Sequence, residues 1–196
     1  MSKTNKDFLQ EIIKELTWAV DNISETDMEQ LLNQILSAKK VFVAGAGRTG
    51  LMGKSFCMRL MHMGIDAYVL GETVTSNFEP DDLLILGSGS GGTASLISYG
   101  EKAKKIGGKV IAITIKPDSP IAKLSDYVIK MPGAVKERTV SEAQSSQENN
   151  NYATIQPMGS LFEQALLLFY DAVILGIMQR NNLDNDKMYG KHANLE

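Results

Sequence analysis

The spacing of apolar residues changes along the chain. Over residues 4–38 apolar side chains recur every three or four positions, which predicts two amphipathic helices, one over 4–21 and one ending near 38. Beyond them, short apolar runs alternate with longer helical segments, the runs being 40–44, 66–70, 83–86, 109–114 and 127–130. Such runs are typical of strands buried on both faces of a parallel sheet. The pattern therefore predicts an α/β fold, a three-layer, doubly wound, five-stranded parallel sheet with N-terminal helices.

The start of the second helix carries a local signal. Residues 24–27 include several that favour the N-cap position, and Thr26 and Glu29 have the spacing of a capping box. In such a box each side chain accepts a hydrogen bond from the other residue's backbone N–H. We expect these two residues to begin the helix.

Residues 158–180 predict a long C-terminal helix with apolar side chains around nearly its whole circumference. A helix of this kind is buried on all sides, and in so small a domain we expect a second subunit to cover part of it. The predicted assembly is a homo-oligomer, a tetramer or a dimer. The longest apolar run, 165–178, contains Asp171 and is shorter than a membrane span, so no membrane partner is expected.

The length of 196 residues suits one domain with a substantial core. Its predicted parts are N-terminal helices over 1–38, an α/β core over 39–131, a polar loop over 132–157, the interface helix over 158–180 and a tail over 181–196. The polar loop has no hydrophobic periodicity. It is either a flexible surface loop or a lid or arm at the active site.

Charge and cysteine content narrow the function classes. The net charge of −3 argues against a nucleic-acid partner, because binding a polyanion depends on many Lys and Arg contacts. A small anionic ligand needs only a local positive field and stays possible. Cys57 is the single cysteine, so the chain has no internal disulfide and suits a reducing compartment. With no secretory signal at the N-terminus, a cytoplasmic protein is expected.

Two glycine loops follow predicted strands. The first, Gly45-Ala46-Gly47-Arg48-Thr49-Gly50, has the glycine spacing of a dinucleotide site, but Asp66 and Glu72 are poorly placed to bind the ribose. The second is Gly87-Ser88-Gly89-Ser90-Gly91-Gly92-Thr93, whose three hydroxyls and helix-start N–H groups suit a phosphate. An ordinary polar turn with Thr93 as a helix cap is the alternative. Because both loops leave the carboxyl ends of parallel strands, we expect one shared site.

Four segments carry a family resemblance: Gly45 to Gly50, Ser88-Gly89-Ser90-Gly91, residues 158–164 and residues 191–196. Together they resemble the sugar isomerase (SIS) domain superfamily and, within it, the 6-phospho-3-hexuloisomerase family. The resemblance implies an SIS, flavodoxin-like fold and an isomerase of the ribulose monophosphate pathway of formaldehyde fixation. Such an enzyme interconverts D-arabino-3-hexulose 6-phosphate and D-fructose 6-phosphate through a cis-enediolate. One departure is Gly92, where many SIS loops carry glutamate.

The resemblance also implies roles for individual residues. Glu163 would be the catalytic base, whereas the residues alone favour a solvated glutamate in a helix's first turns. His62 or His192 would move protons between substrate oxygens or open the cyclic sugar, and a neighbouring subunit could supply either one. The residues that would bind phosphate and sugar are Gly47, Arg48, Ser88, Gly89, Ser90, Gly91 and Thr93.

No cofactor is expected, because the reaction moves protons and a carbonyl within one molecule. A metal is not expected either, since one cysteine and two distant histidines make no ligand cluster. Three alternatives stay open: another SIS sugar-phosphate isomerase, a non-catalytic phosphosugar-sensing module, and a nucleotide-binding enzyme. Product analysis, the effect of changing Glu163 and an NAD titration separate them.

Overall fold

The computed structural model describes residues 2–134 and 154–192. Most of the predicted polar loop and the last four residues of the tail lie outside the described residues. The elements, in chain order, are α1 (Asn5–Asp21), α2 (Glu25–Ser37), β1 (Val41–Gly45), α3 (Gly47–His62), β2 (Ala67–Val69), β3 (Leu83–Gly87), α4 (Ala94–Ile106), β4 (Lys109–Thr114), α5 (Pro120–Leu124), β5 (Tyr127–Lys130), α6 (Ser160–Arg180) and α7 (Asn185–Tyr189).

The five strands form one parallel sheet in the order β2-β1-β3-β4-β5. This confirms the predicted doubly wound α/β fold. The order places β1 and β3 side by side, and their pairing runs from Val41 opposite Leu83 to Gly45 opposite Gly87. Since Gly45 and Gly87 each open a glycine loop, the register brings both loops to the same edge of the sheet, as predicted from the sequence.

Helices cover both faces of the sheet, because successive strand residues point to opposite sides. One face packs against α1, α2, α3 and α6, and its strand residues include Val41, Val43, Leu83, Ile85, Ile111, Ile113 and Ile129. The other face packs against α4 and α5, and its strand residues are Phe42, Ala44, Leu84, Leu86, Val110 and Ala112. The result is the three-layer arrangement expected from continuous apolar strands.

The C-terminal helix α6 is a core helix with a partly exposed side. It packs against α1, α2 and α3. Its buried side chains are Leu161, Phe162, Ala165, Leu166, Phe169, Tyr170, Val173, Ile174 and Ile177. At 21 residues α6 matches the predicted helix, and the whole helix is long and apolar enough to cross a membrane by length and composition, although the apolar run 165–178 is shorter than a span. Half of its most apolar stretch is buried in this domain, and that packing accounts for the composition.

The helix starts correct one prediction. At α1, Thr4 and Asp7 form a capping box, with Asp7 N–H donating to Thr4 Oγ1 (3.2 Å) and Thr4 N–H donating to the Asp7 carboxylate (2.7 Å). At α2 the cap is Ser24, whose hydroxyl accepts from Asp27 N–H at 3.2 Å. The predicted box at Thr26 is wrong, because α2 already begins at Glu25 and Thr26 lies inside its first turn.

A close backbone contact joins β1 to α3. A Cβ atom placed on Gly50 would lie 2.6 Å from the carbonyl oxygen of Gly45. Only glycine at position 50 therefore lets the first turn of α3 approach the end of β1. This contact determines where the N-terminus of α3 lies relative to the sheet edge.

We expect Gly50→Ala to lower the free energy of unfolding by about 2 kcal/mol or more, because the clash is with backbone that cannot move aside. Urea unfolding followed by circular dichroism measures the change. Gly53→Ala is the matched control on the same helix, where the new methyl would meet only the Val43 side chain at 3.0 Å. Equal losses in the two variants would contradict the role given to Gly50.

Candidate active site

Three helices begin at the rim of one cavity at the carboxyl edge of the sheet. The cavity has a volume of about 520 Å³ and is lined by residues at the starts of α3, α4 and α6. Their N-cap residues, Ala46, Thr93 and Gly159, make no side-chain capping bond. In α6 the Ser160 N–H donates to the Pro157 carbonyl oxygen at 3.2 Å. The other first-turn N–H groups, and the positive ends of the three helix dipoles, suit a bound anion.

The second glycine loop folds around its own hydroxyls. Ser88 Oγ accepts from Gly91 N–H at 3.1 Å and lies 3.2 Å from Thr93 Oγ1, while Gly92 N–H donates to Ser90 Oγ at 3.4 Å. Thr93 occupies the N-cap position of α4, but its hydroxyl bonds to Ser88 and does not cap the helix. The alternative of an ordinary cap is therefore wrong, and the helix start stays open toward the cavity.

Gly91 gives this loop its shape. Its φ of +64° lies in the left-handed region, and a Cβ atom there would be 2.0 Å from Ser119 Oγ. Gly92 is different, because a Cβ atom on it would meet nothing within 4 Å. A side chain at position 92, where many SIS loops carry glutamate, would therefore start in open space, and packing does not require glycine there.

Arg48 and Glu163 meet at the cavity wall although 115 positions separate them in the sequence. Arg48 Nη1 donates to Glu163 Oε2 at 2.9 Å. The Glu163 side chain is 16% exposed, so it is not the solvated surface glutamate that the residues alone also allowed. Among the described residues, Glu163 is the only carboxylate that lines the cavity. An ionised carboxylate accepts and does not donate, so Glu163 is the group in the cavity suited to take a proton.

His62 and His192 lie together, but away from this cavity. Their rings stack with centroids 5.2 Å apart, and Tyr189 stacks on His192 at 5.8 Å. His62 lies fourteen residues beyond Arg48 on α3, about 21 Å along the helix axis. Both histidines line a second cavity of about 470 Å³. The structure thus pairs the two candidate histidines and separates them from Glu163 within one chain.

The surroundings of His62 favour its neutral form. Burial lowers the pKa of its imidazole, and the nearby charges of Arg59 and His192 lower it further. Arg59 Nη1 lies 3.3 Å from His62 Nδ1, and a guanidinium can only donate, so Nδ1 is the acceptor and Nε2 carries the proton. A neutral imidazole with one donor and one acceptor can pass a proton between two oxygens.

The sequence interpretation missed several residues that line the cavity. Lys116 follows β4, and the rule that ligands bind at the carboxyl ends of parallel strands could have found it. Met158 has a φ of +58°, a strained value for a non-glycine residue, and no pattern in the sequence announces it. Both line the same cavity as the predicted residues Arg48, Ser88 and Glu163, so more residues line it than were predicted.

A family model for the SIS domain matches residues 34–167. The chain belongs to the SIS domain family. The match spans β1 to the middle of α6 and therefore includes both glycine loops and Glu163.

Individual SIS relatives narrow the comparison. A Bacillus subtilis protein named 3-hexulose-6-phosphate isomerase is 51% identical over 190 residues, 97% of this chain and 98% of that protein. One of the same name from Mycobacterium gastri is 38% identical over 90% of this chain and 85% of its own length. A Methanococcus jannaschii crystal structure, described as inferring a 3-hexulose-6-phosphate isomerase function, is 34% identical with a TM-score of 0.79 and covers 97% of this chain and 99% of its own. The resemblance to the 6-phospho-3-hexuloisomerases is confirmed.

Gly91 and Gly92, adjacent residues of the second glycine loop, offer a matched test of the loop's geometry. We expect Gly91→Ala to weaken the binding of inorganic phosphate by about tenfold or more, because the methyl collides with Ser119 and the residue resists a positive φ. Gly92→Ala should bind phosphate as the unaltered protein does. Isothermal titration calorimetry measures both, and equal affinities for the two variants would show that the loop shape does not matter.

Proposed function

We propose that this protein is an isomerase that interconverts D-arabino-3-hexulose 6-phosphate and D-fructose 6-phosphate. The observation that carries the proposal is the meeting of three open helix starts and one ion-paired carboxylate in a single cavity. The helix starts suit a phosphate, and the carboxylate suits proton transfer at carbon. The relatives named 3-hexulose-6-phosphate isomerase, 51% and 38% identical over most of the chain, support the same reaction.

The reaction is an exchange of protons along two neighbouring carbons. In the 3-hexulose the carbonyl is at C3, so the acidic proton is the one on C2. Glu163 takes that proton, and the electron pair left on C2 forms the C2–C3 double bond of a cis-enediolate. The proton then returns to C3, while the hydroxyl on C2 loses its proton and the oxygen on C3 gains one, so that the carbonyl forms at C2 and the product is the 2-ketose. Arg48, which bonds to the Glu163 carboxylate, lies where it can stabilise the negative enediolate oxygens.

The substrate phosphate is held away from the reacting carbons. The second glycine loop and the start of α4 provide unbonded N–H groups and the hydroxyls of Ser88, Ser90 and Thr93. These groups bind and orient the sugar phosphate, and no acid or base is needed among them. Anchoring the non-reacting end lets the enzyme hold C2 and C3 against Glu163.

We infer that the working form is a homo-oligomer in which a second subunit brings the histidine pair to the cavity. One support is the separation of His62 from Glu163 within a chain. Another is a set of exposed apolar side chains on α3 and α6, two helices that pack against each other. The side chains are Leu51, Met58, Met61, Leu168 and Leu175. Covering these side chains by another copy removes apolar surface from water. His62 lies on the same helix as three of them.

Replacing the proposed base separates an enzyme from a sensor. We expect Glu163→Gln to lower kcat by about 100-fold to 10,000-fold, the usual contribution of a general base, while the protein still binds fructose 6-phosphate. NMR observation of fructose 6-phosphate formed from 3-hexulose 6-phosphate gives the rate and identifies the product. Glu101→Gln, an exposed glutamate on α4, is the control and should keep full turnover. Undiminished turnover in Glu163→Gln would refute the base, and a different product would indicate another SIS isomerase.

Mixed oligomers test the shared site. We expect Glu163→Gln and His62→Gln each to be inactive alone, because each lacks one half of every site. A dimer that contains one copy of each variant should regain activity in one of its two sites, where intact Glu163 faces the intact His62 of the neighbouring subunit, and a tetramer with two copies of each should regain it in about a third of its sites. Co-expression with two affinity tags isolates the mixed species. Full activity in His62→Gln alone, or no recovery in mixed oligomers, would contradict the contribution of a second subunit.

A further inference from the structure

Among the described residues two cations line the cavity, and one of them is neutralised by an ion pair. Arg48 is paired with Glu163, so the two charges cancel. Lys116 is half-buried in the cavity wall, and its ammonium makes no hydrogen bond or ion pair with any other residue in 2–134 or 154–192. An ammonium without a partner in a cavity wall leaves a positive charge that a bound anion would neutralise.

The backbone at Lys116 is hydrogen-bonded to the second glycine loop (residues 87–93) through a buried hydroxyl. Thr114, the last residue of β4, is 0% exposed. Its Oγ1 donates to the Gly89 carbonyl oxygen at 3.2 Å and accepts from Lys116 N–H at 3.2 Å. Ile115 N–H donates to the same Gly89 carbonyl at 3.2 Å. These bonds hold residues 114–116 against the second glycine loop, and a shift of either segment would break them.

We propose that Lys116 is the cation that binds the phosphate group of the sugar phosphate, and that the Thr114 hydroxyl positions it. The proposal rests on the proposed function for the identity of the ligand. It gives the two cavity cations different tasks: Arg48 serves the carboxylate and the reacting oxygens, and Lys116 serves the phosphate. Helix N–H groups and a single ammonium together match the charge of a phosphate dianion better than either does alone.

Binding of inorganic phosphate tests Lys116 without turnover. We expect the Kd to rise about tenfold or more in Lys116→Met, which keeps most of the side chain's length and loses its charge, and to stay within about threefold in Lys116→Arg. Lys123→Met, on the exposed side of α5, is the control and should not change the Kd. The affinity of the unaltered protein should also fall more steeply with added salt than that of Lys116→Met.

The outcomes distinguish this proposal from the proposed function. A phosphate Kd in Lys116→Met within about twofold of that of the unaltered protein overturns the role of Lys116, whether or not the protein isomerises a sugar. If phosphate binding depends on Lys116 and 3-hexulose 6-phosphate is not converted, the isomerase proposal fails and the role of Lys116 stands.

Thr114 is tested by removing its hydroxyl while keeping its shape. We expect Thr114→Val to raise the phosphate Kd about fivefold, because Lys116 N–H and the Gly89 carbonyl both lose a bond, and Thr114→Ser to restore it. A purely structural hydroxyl would lower the melting temperature of Thr114→Val and leave the phosphate Kd unchanged. That result would overturn the positioning role.

Discussion

The pairing of Gly45 with Gly87 at the ends of β1 and β3 is the constraint on which the site depends. Each glycine ends a strand and begins a loop that leads into a helix, so the register fixes the starts of α3 and α4 beside each other. The close contact between Gly50 and the Gly45 carbonyl then fixes how near the first turn of α3 lies to the end of β1. A slip of the register would move one loop along the strand direction relative to the other. The anion site would then lose one of its helix ends.

Strands, glycine loops and the place of the site could be predicted because their signals are local. The continuous apolar runs give the parallel sheet, and the carboxyl-end rule gives the site from topology. The contact between Arg48 and Glu163 could not be found in this way, since 115 positions separate the two and no periodicity links them; only the family resemblance related them. The same is true of the ring contact between His62 and His192. The capping box failed at Thr26 because Ser24 satisfies the helix start two positions earlier.

The second glycine loop keeps its geometry through hydrogen bonds of its own hydroxyls, with few charged side chains. Ser88 and Thr93 bond to each other and to the loop backbone, so their hydroxyls shape the loop as well as line it. Gly92 leaves open space where other SIS loops place a glutamate, and the cavity therefore has no carboxylate near the phosphate among the described residues. A negative group there would oppose a dianion. Its absence fits a loop that binds the ligand, with Glu163 on α6 as the proposed base.

The ion pair between Arg48 and Glu163 also explains how a carboxylate can serve as base without exposing an uncompensated charge. Before the reaction the guanidinium neutralises the Glu163 carboxylate at 2.9 Å. In the proposed reaction the carboxylate becomes neutral at the moment when the substrate becomes a negative enediolate. Arg48 then exchanges one anion for another in the same small volume, and the net charge of the cavity stays constant through the proton transfer. A fixed cation that is already oriented needs little reorganisation for this exchange, which is the condition under which electrostatic stabilisation of a transition state is most effective.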